Sequence, residues 1–150
     1  MQRLTFTQKR QRYYKRQLAK AIDYCSSIGW SVSEKSINVG ESHVDFYDKN
    51  IVITSRQRPE LKLYTLLHEV GHVIIRSQAG YRRKFPCYNN TLQANKKERV
   101  CTIEEEVMAW NTAYELAETL KIKINKKTFE RDKTKALMSY IKWAARMSYE

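Results

Sequence analysis

Residues 59–76 read PELKLYTLLHEVGHVIIR. Pro59 fits the first turn of a helix, where a missing N–H is tolerated, and Glu60 sits where the helix's positive end favours an acid. Leu63, Leu66, Leu67, Val70, Val73, Ile74 and Ile75 then cover most of the circumference, which predicts a buried central helix running to about Arg76. Set into it is His68-Glu69-Val70-Gly71-His72, an HExxH sequence. Residues i and i+4 share a helix face, so both imidazoles can reach one Zn²⁺, with Glu69 beside them on the next turn. A carboxylate there can take a proton from metal-bound water and pass it to a leaving amine. Two core histidines bonded to backbone would give the same letters. Against that, two of the chain's three histidines fall in the motif.

A catalytic zinc site takes three protein ligands and keeps a fourth position for water. The extended HExxHxxGxxH pattern fails, because Ile75 stands where Gly should be and Gln78 where the third His should be. The remaining histidine, His43, lies upstream, so a carboxylate must complete the site. The candidates stand together in Thr102-Ile-Glu-Glu-Glu-Val-Met-Ala-Trp110, inside a helix expected over about Lys97 to Lys121. Glu104 shares a stripe with Met108, Asn111, Glu115 and Glu118, a solvated face. Glu105 lines up with Ala109, Thr112 and Leu116, an intermediate position that a solvated charge run would also explain. Glu106 lines up with Ile103, Trp110, Ala113, Ala117 and Leu120, the apolar stripe. A carboxylate facing the core is costly unless paired or metal-bound. Glu106 is therefore the expected third ligand, with Glu105 in reserve.

YTLLHEVGHVII followed by EEEVMAWNTAYELA resembles the ImmA/IrrE-type metallopeptidases and their compact phage and bacterial relatives, the minimal gluzincins. In that family a glutamate on the helix after the HExxH helix is the third zinc ligand. It is followed by Ala three residues on, Ala seven on and Leu ten on. Glu106, Ala109, Ala113 and Leu116 match that spacing. The resemblance covers roughly residues 44–120. The family's usual Leu-Met-Pro-type continuation is absent, and Ala117-Glu-Thr-Leu stands in its place. The resemblance implies a zinc-dependent endopeptidase acting on a protein substrate, a regulator or a nucleic-acid-bound protein among the options. His68, His72 and Glu106 would be the metal ligands and Glu69 the general base.

The flanking segments complete an α+β order. Residues 8–27 place Tyr14, Leu18, Ala21, Ile22 and Cys25 at helical spacing, with Gly29 as a stop signal. Trp30–Glu34 and His43–Tyr47 alternate, and Asp48-Lys-Asn turns into Ile51–Thr54, a hairpin in a small sheet. Residues 77–95 hold Gly80, Pro86, Asn89 and Asn90 and read as a loop. A last amphipathic helix, about Lys133 to Met147, carries Leu137, Tyr140, Ile141 and Ala144 on one stripe. The expectation is one zincin-like domain over 1–150: a basic N-terminal helix (1–29), a core (30–120) and a basic C-terminal region (121–150). Peptide hydrolysis also needs a sheet edge for the substrate, for which Ile51–Thr54 is a candidate. It needs a donor to the oxyanion too, drawn from Tyr81, Tyr88 or His43.

The chain has 150 residues, 28 Lys+Arg against 16 Asp+Glu and a formal net charge of +12. That excess suggests a nucleic acid or another acidic partner, and Tyr13, Tyr14, Tyr81 and Trp143 lie among the basic residues. A solvated basic surface explains it as well, and no helix-turn-helix, zinc-finger or RNA-recognition signature is present. A basic nucleic-acid- or regulator-binding module with a structural or retired zinc is thus the alternative to the peptidase. No stretch nears the ~18 apolar residues of a membrane span, and no apolar segment follows the basic N-terminus as in a signal peptide. Cys25, Cys87 and Cys101 are odd in number and lack CxxC spacing, which reads as reduced thiols in a cytoplasmic protein.

Overall fold

The computed structural model describes residues 3–146. Its elements in order are α1 (Phe6–Ser27), β1 (Ser31–Lys35), β2 (His43–Asp45), β3 (Asn50–Thr54), α2 (Pro59–Ser77), α3 (Tyr81–Lys84), α4 (Lys96–Thr119) and α5 (Lys126–Ala145). The class is α+β, five helices with one small mixed sheet.

Local chemistry sets the helix ends. Thr5 opens α1 with a capping box in which its hydroxyl accepts from Gln8 N and the Gln8 side chain accepts from Thr5 N. Asn95 and Glu98 do the same for α4. Each pair satisfies two N–H groups that the first helical turn leaves without intrahelical partners. The turn after α1 is made by Gly29 at φ 82°, a conformation that favours glycine.

The sheet order is β1-β3-β2, with β1 parallel and β2 antiparallel to β3. Ile51 faces Val32 on one side and Val44 on the other. The Ile51–Thr54 strand was expected to offer its edge to a substrate; it is instead the middle strand, with both edges paired. The sheet's edges are β1 and β2. Thr54 is fully buried; its hydroxyl donates to Ile37 O at 2.6 Å and its N–H to Ser42 Oγ at 3.1 Å. These bonds fasten the 36–42 loop against the sheet.

Helix α2 is the centre, packed on α1 and β3 and most extensively on α4. Leu63, Tyr64, Leu66 and Leu67 are fully buried, as the all-round apolar pattern requires. The crossing with α4 is close: a Cβ built on Gly71 would lie 2.3 Å from Ala109 O. Only hydrogen fits there. Glu60 is 3% exposed and joins three helices. Arg10 Nη2 donates to it at 2.7 Å, and Tyr64 OH donates to it at 3.1 Å while accepting from Asn125 N at 3.0 Å.

The C-terminal helix begins at Lys126, well before the expected Lys133, because Asn125 caps it by accepting from Thr128 N. Of its expected stripe, Ile141 is 48% exposed; the expected end at Met147 lies outside the described residues. Arg99 is buried. Its Nη1 donates to the carbonyls of Trp143, Ala144 and Arg146 at the end of α5, and Nε and Nη2 donate to Ala94 O and Leu92 O. A cation placed there suits the negative end of the helix. Tyr14, although it lies among the basic residues of α1, belongs to the core, as its helical spacing predicts. Cys87, distant in sequence from Cys101, packs against it.

Candidate metal centre

His68, Glu69 and His72 lie on the α2 face turned toward α4, and Glu106 comes from α4 to meet them. One ligand atom each from His68, His72 and Glu106 lies within 4.8 Å of the others, and all three residues are buried. His68 Nε2 is 3.1 Å from Glu106 Oε2, and His72 Nε2 is 3.3 Å from Glu106 Oε1. The absence of a side chain at Gly71 lets α4 approach closely enough for Glu106 to bridge both rings. The expected trio comes together, and the cluster can hold a metal ion.

Glu105 was the reserve ligand, on a face taken as partly solvated. It is fully buried and does another job. His72 Nδ1 lies 3.0 Å from Glu105 Oε1, and a carboxylate only accepts, so Nδ1 carries the proton. Once Nε2 loses its proton, as metal binding requires, the ring would present that lone pair to an ion held beside Glu106. Such a carboxylate behind a histidine fixes tautomer and ring orientation at metal sites. Arg76 Nε at 3.0 Å and Tyr81 OH at 2.7 Å also donate to Glu105. The Arg76 guanidinium lies over Phe46 at 4.5 Å and Tyr88 at 4.7 Å. Sequence reading overlooked Arg76, although its signal was present: it stands four residues after His72, one turn further along the same face.

Tyr88 OH donates to Glu106 Oε1 at 3.2 Å. Its loop is tied to α4 where Asn89 N donates to Thr102 Oγ1 at 3.0 Å. The His68 ring stacks on Trp110, with centroids 4.4 Å apart and planes 21° apart. Thus His72 is oriented by hydrogen bonding and His68 by stacking.

Electrostatics fit a cation. Burial pushes His68 down, away from its charged form. Burial also opposes charge on His72, but Glu105 and Glu106 outweigh it and raise that ring to about 10. Burial by itself would raise Glu106; the adjoining His68 and His72 rings instead hold it well below the usual carboxylate range. Glu69 is pushed up to about 8 by burial, with the Glu106 charge adding to the shift. A buried proton on His72 supplies the positive charge these carboxylates require, and a divalent ion would supply more of it. Glu106 Oε2 is buried without a hydrogen-bond partner. An orphaned carboxylate oxygen beside two imidazole nitrogens fits a first-row metal ion.

Two cavities meet at His68 and Glu69. The larger, about 550 Å³, runs between the 36–42 loop, the start of α2 and α5. The smaller, about 300 Å³, holds His43, His72, Arg76, Tyr88 and Glu106. Tyr140 of α5 lines both, a residue assigned from sequence only to the core stripe. Of the three expected oxyanion donors, His43 and Tyr88 line the smaller cavity, whereas the Tyr81 hydroxyl is committed to Glu105. Comparison with known protein families, with curated proteins and with solved structures gave no match for this chain.

Proposed function

We propose that the protein is a zinc-dependent metallopeptidase of the gluzincin, ImmA/IrrE-like kind, hydrolysing peptide bonds in a protein substrate. The observation carrying this reading is the convergence of His68, His72 and Glu106 at the meeting point of two cavities that Glu69 also lines. Two imidazoles and one carboxylate are a donor set of catalytic zinc sites. Zinc held there would polarise a substrate carbonyl and acidify water.

The chain's own residues do the rest. Glu69, with its proton affinity raised by burial, takes a proton at its carboxylate and returns it to the leaving amine. Glu105 and Arg76 hold His72 in the tautomer that keeps Nε2 free, and Tyr88 holds Glu106. His43 and Tyr140 line the cavities and supply donors for the oxyanion. No helix among the described residues is long and apolar enough to cross a membrane, and the free thiols suit a cytoplasmic setting.

Glu69→Gln should keep the metal and lose hydrolysis. Comparing peptides released from a cellular protein extract by wild type and by Glu69→Gln tests this. Identical cleavage by both would remove Glu69, and the proposed mechanism, from the account.

A second reading is a nucleic-acid-binding module with a structural metal. It is favoured by α1, where Lys9, Arg12, Lys15, Arg16 and Lys20 are exposed on the face away from the core. It predicts DNA or RNA binding that weakens steeply with salt and persists in Glu69→Gln.

A further inference from the structure

The larger cavity opens directly from the candidate metal centre, because His68 and Glu69 belong to its wall. Its inner lining is apolar: Trp110 behind His68, Leu61 from α2 and Ala136 from α5. Val39, on the loop fastened by Thr54, is 54% exposed and overhangs the same space. At about 550 Å³ the cavity is within the ~300–1,000 Å³ of ordinary ligand sites and exceeds what one side chain fills. It has room for an apolar side chain and the adjoining backbone.

The rim has one predominant sign. Arg56, Arg58 and Lys135 border the cavity against Asp132. Arg56 is engaged by neutral partners, Ser36 and Asn38, and Arg58 stands 3.6 Å from a Glu60 carboxylate already bonded to Arg10. Among the described residues neither Arg56 nor Lys135 has a carboxylate within ion-pair distance. Burial raises the Asp132 pKa, which weakens the acid that borders the rim beside Lys135. An apolar chamber with an under-neutralised basic mouth is complementary to an apolar residue flanked by acids.

We propose that this cavity selects the substrate: it takes a large apolar side chain next to the scissile bond, with acidic residues of the same polypeptide held by Arg56, Arg58 and Lys135. This rests on the peptidase reading above and deepens it, since the basic character of the protein becomes a specificity device at the cleft. Cavity and rim draw on both the start of α2 and α5, so the C-terminal helix is part of the substrate site.

The test is peptide binding to the zinc-loaded full-length Glu69→Gln protein, read by fluorescence anisotropy, which needs no turnover. Each labelled peptide carries Phe, Leu or Ala at one position and Glu, Gln or Lys at the residues flanking it. Phe or Leu with flanking Glu should bind tightest, by about tenfold or more over Ala with flanking Lys. Adding Arg58→Glu and Lys135→Glu should erase the preference of Glu over Lys by about tenfold. Adding Ala136→Phe should abolish the preference for Phe over Ala while zinc content stays at the wild-type level. Affinity that is flat across the panel, or a preference for Phe that survives Ala136→Phe, overturns the assignment. Failure of the peptidase reading looks different: zinc-loaded wild type would leave the tightest-binding peptide intact while the binding preferences stand.

Discussion

Burying two adjacent carboxylates is expensive unless each meets enough donors; Glu105 does, whereas Glu106 keeps one oxygen unpartnered. Glu105 receives His72 Nδ1, Arg76 and Tyr81; Glu106 receives Tyr88 and faces both Nε2 atoms. The roles differ, so the substitutions should differ. Glu105→Gln removes the charge behind His72 but no ligand, and should weaken metal binding by about 10–100-fold at unchanged saturating stoichiometry. Competition against a fluorescent chelator measures it, and an affinity equal to wild type would strip Glu105 of its orienting role. The same site has a pH signature. In the metal-free protein His72 is protonated up to about pH 10, yet only a neutral imidazole can bind a metal. Binding therefore expels a proton, and apparent affinity should rise with pH by about tenfold per unit below that value. Chelator competition across a pH series checks the sign; affinity falling with pH would contradict it.

At the scale of elements, the site depends on how closely α2 crosses α4. Gly71→Ala introduces a Cβ that would stand 2.3 Å from Ala109 O, a backbone atom that cannot swing aside. The helices must separate, at an expected cost of about 1–3 kcal/mol, and Glu106 must withdraw from the two rings. Urea unfolding together with metal affinity should show both effects; loss of stability with full metal affinity would mean that the crossing does not set the site. Arg99→Met should release the end of α5 at a cost of about 2–4 kcal/mol, because several carbonyls lose a charged donor. The elements legible in sequence were those with strong periodicity or caps: α1, α2 and α4, and the hairpin of β2 and β3. The clustering of His68, His72 and Glu106 was legible as well, because helical spacing puts both histidines on one face and one carboxylate on the apolar stripe. Glu105 was misjudged because a helical wheel cannot know that Arg76 and Tyr81 arrive from other segments to neutralise it. The central place of β3 was hidden for a related reason: a parallel partner such as β1 leaves no local turn signal. Tyr140 was visible only as a core position, since its part in the cleft depends on where α5 lands.

For the whole molecule, the net charge of +12 now has distinct addresses. Arg99 is internal, Arg76 supports Glu105 beside the candidate metal centre, Arg56, Arg58 and Lys135 rim the larger cavity, and α1 carries an open basic face. A metal tying α2 to α4 should also stabilise the fold globally. With free zinc about 100-fold above its dissociation constant the gain is about 2.7 kcal/mol, which for a chain of this size raises Tm by roughly 5–10 °C. A Tm indifferent to chelator would place the metal outside the cooperative core. The central claim, that His68, His72 and Glu106 form a zinc site, is tested most directly by elemental analysis of protein purified without chelator. The account predicts about one zinc per chain in the wild type and almost none in the His68→Ala, His72→Ala, Glu106→Gln triple variant. Wild-type protein free of zinc, or a triple variant that binds as much as wild type, would contradict it.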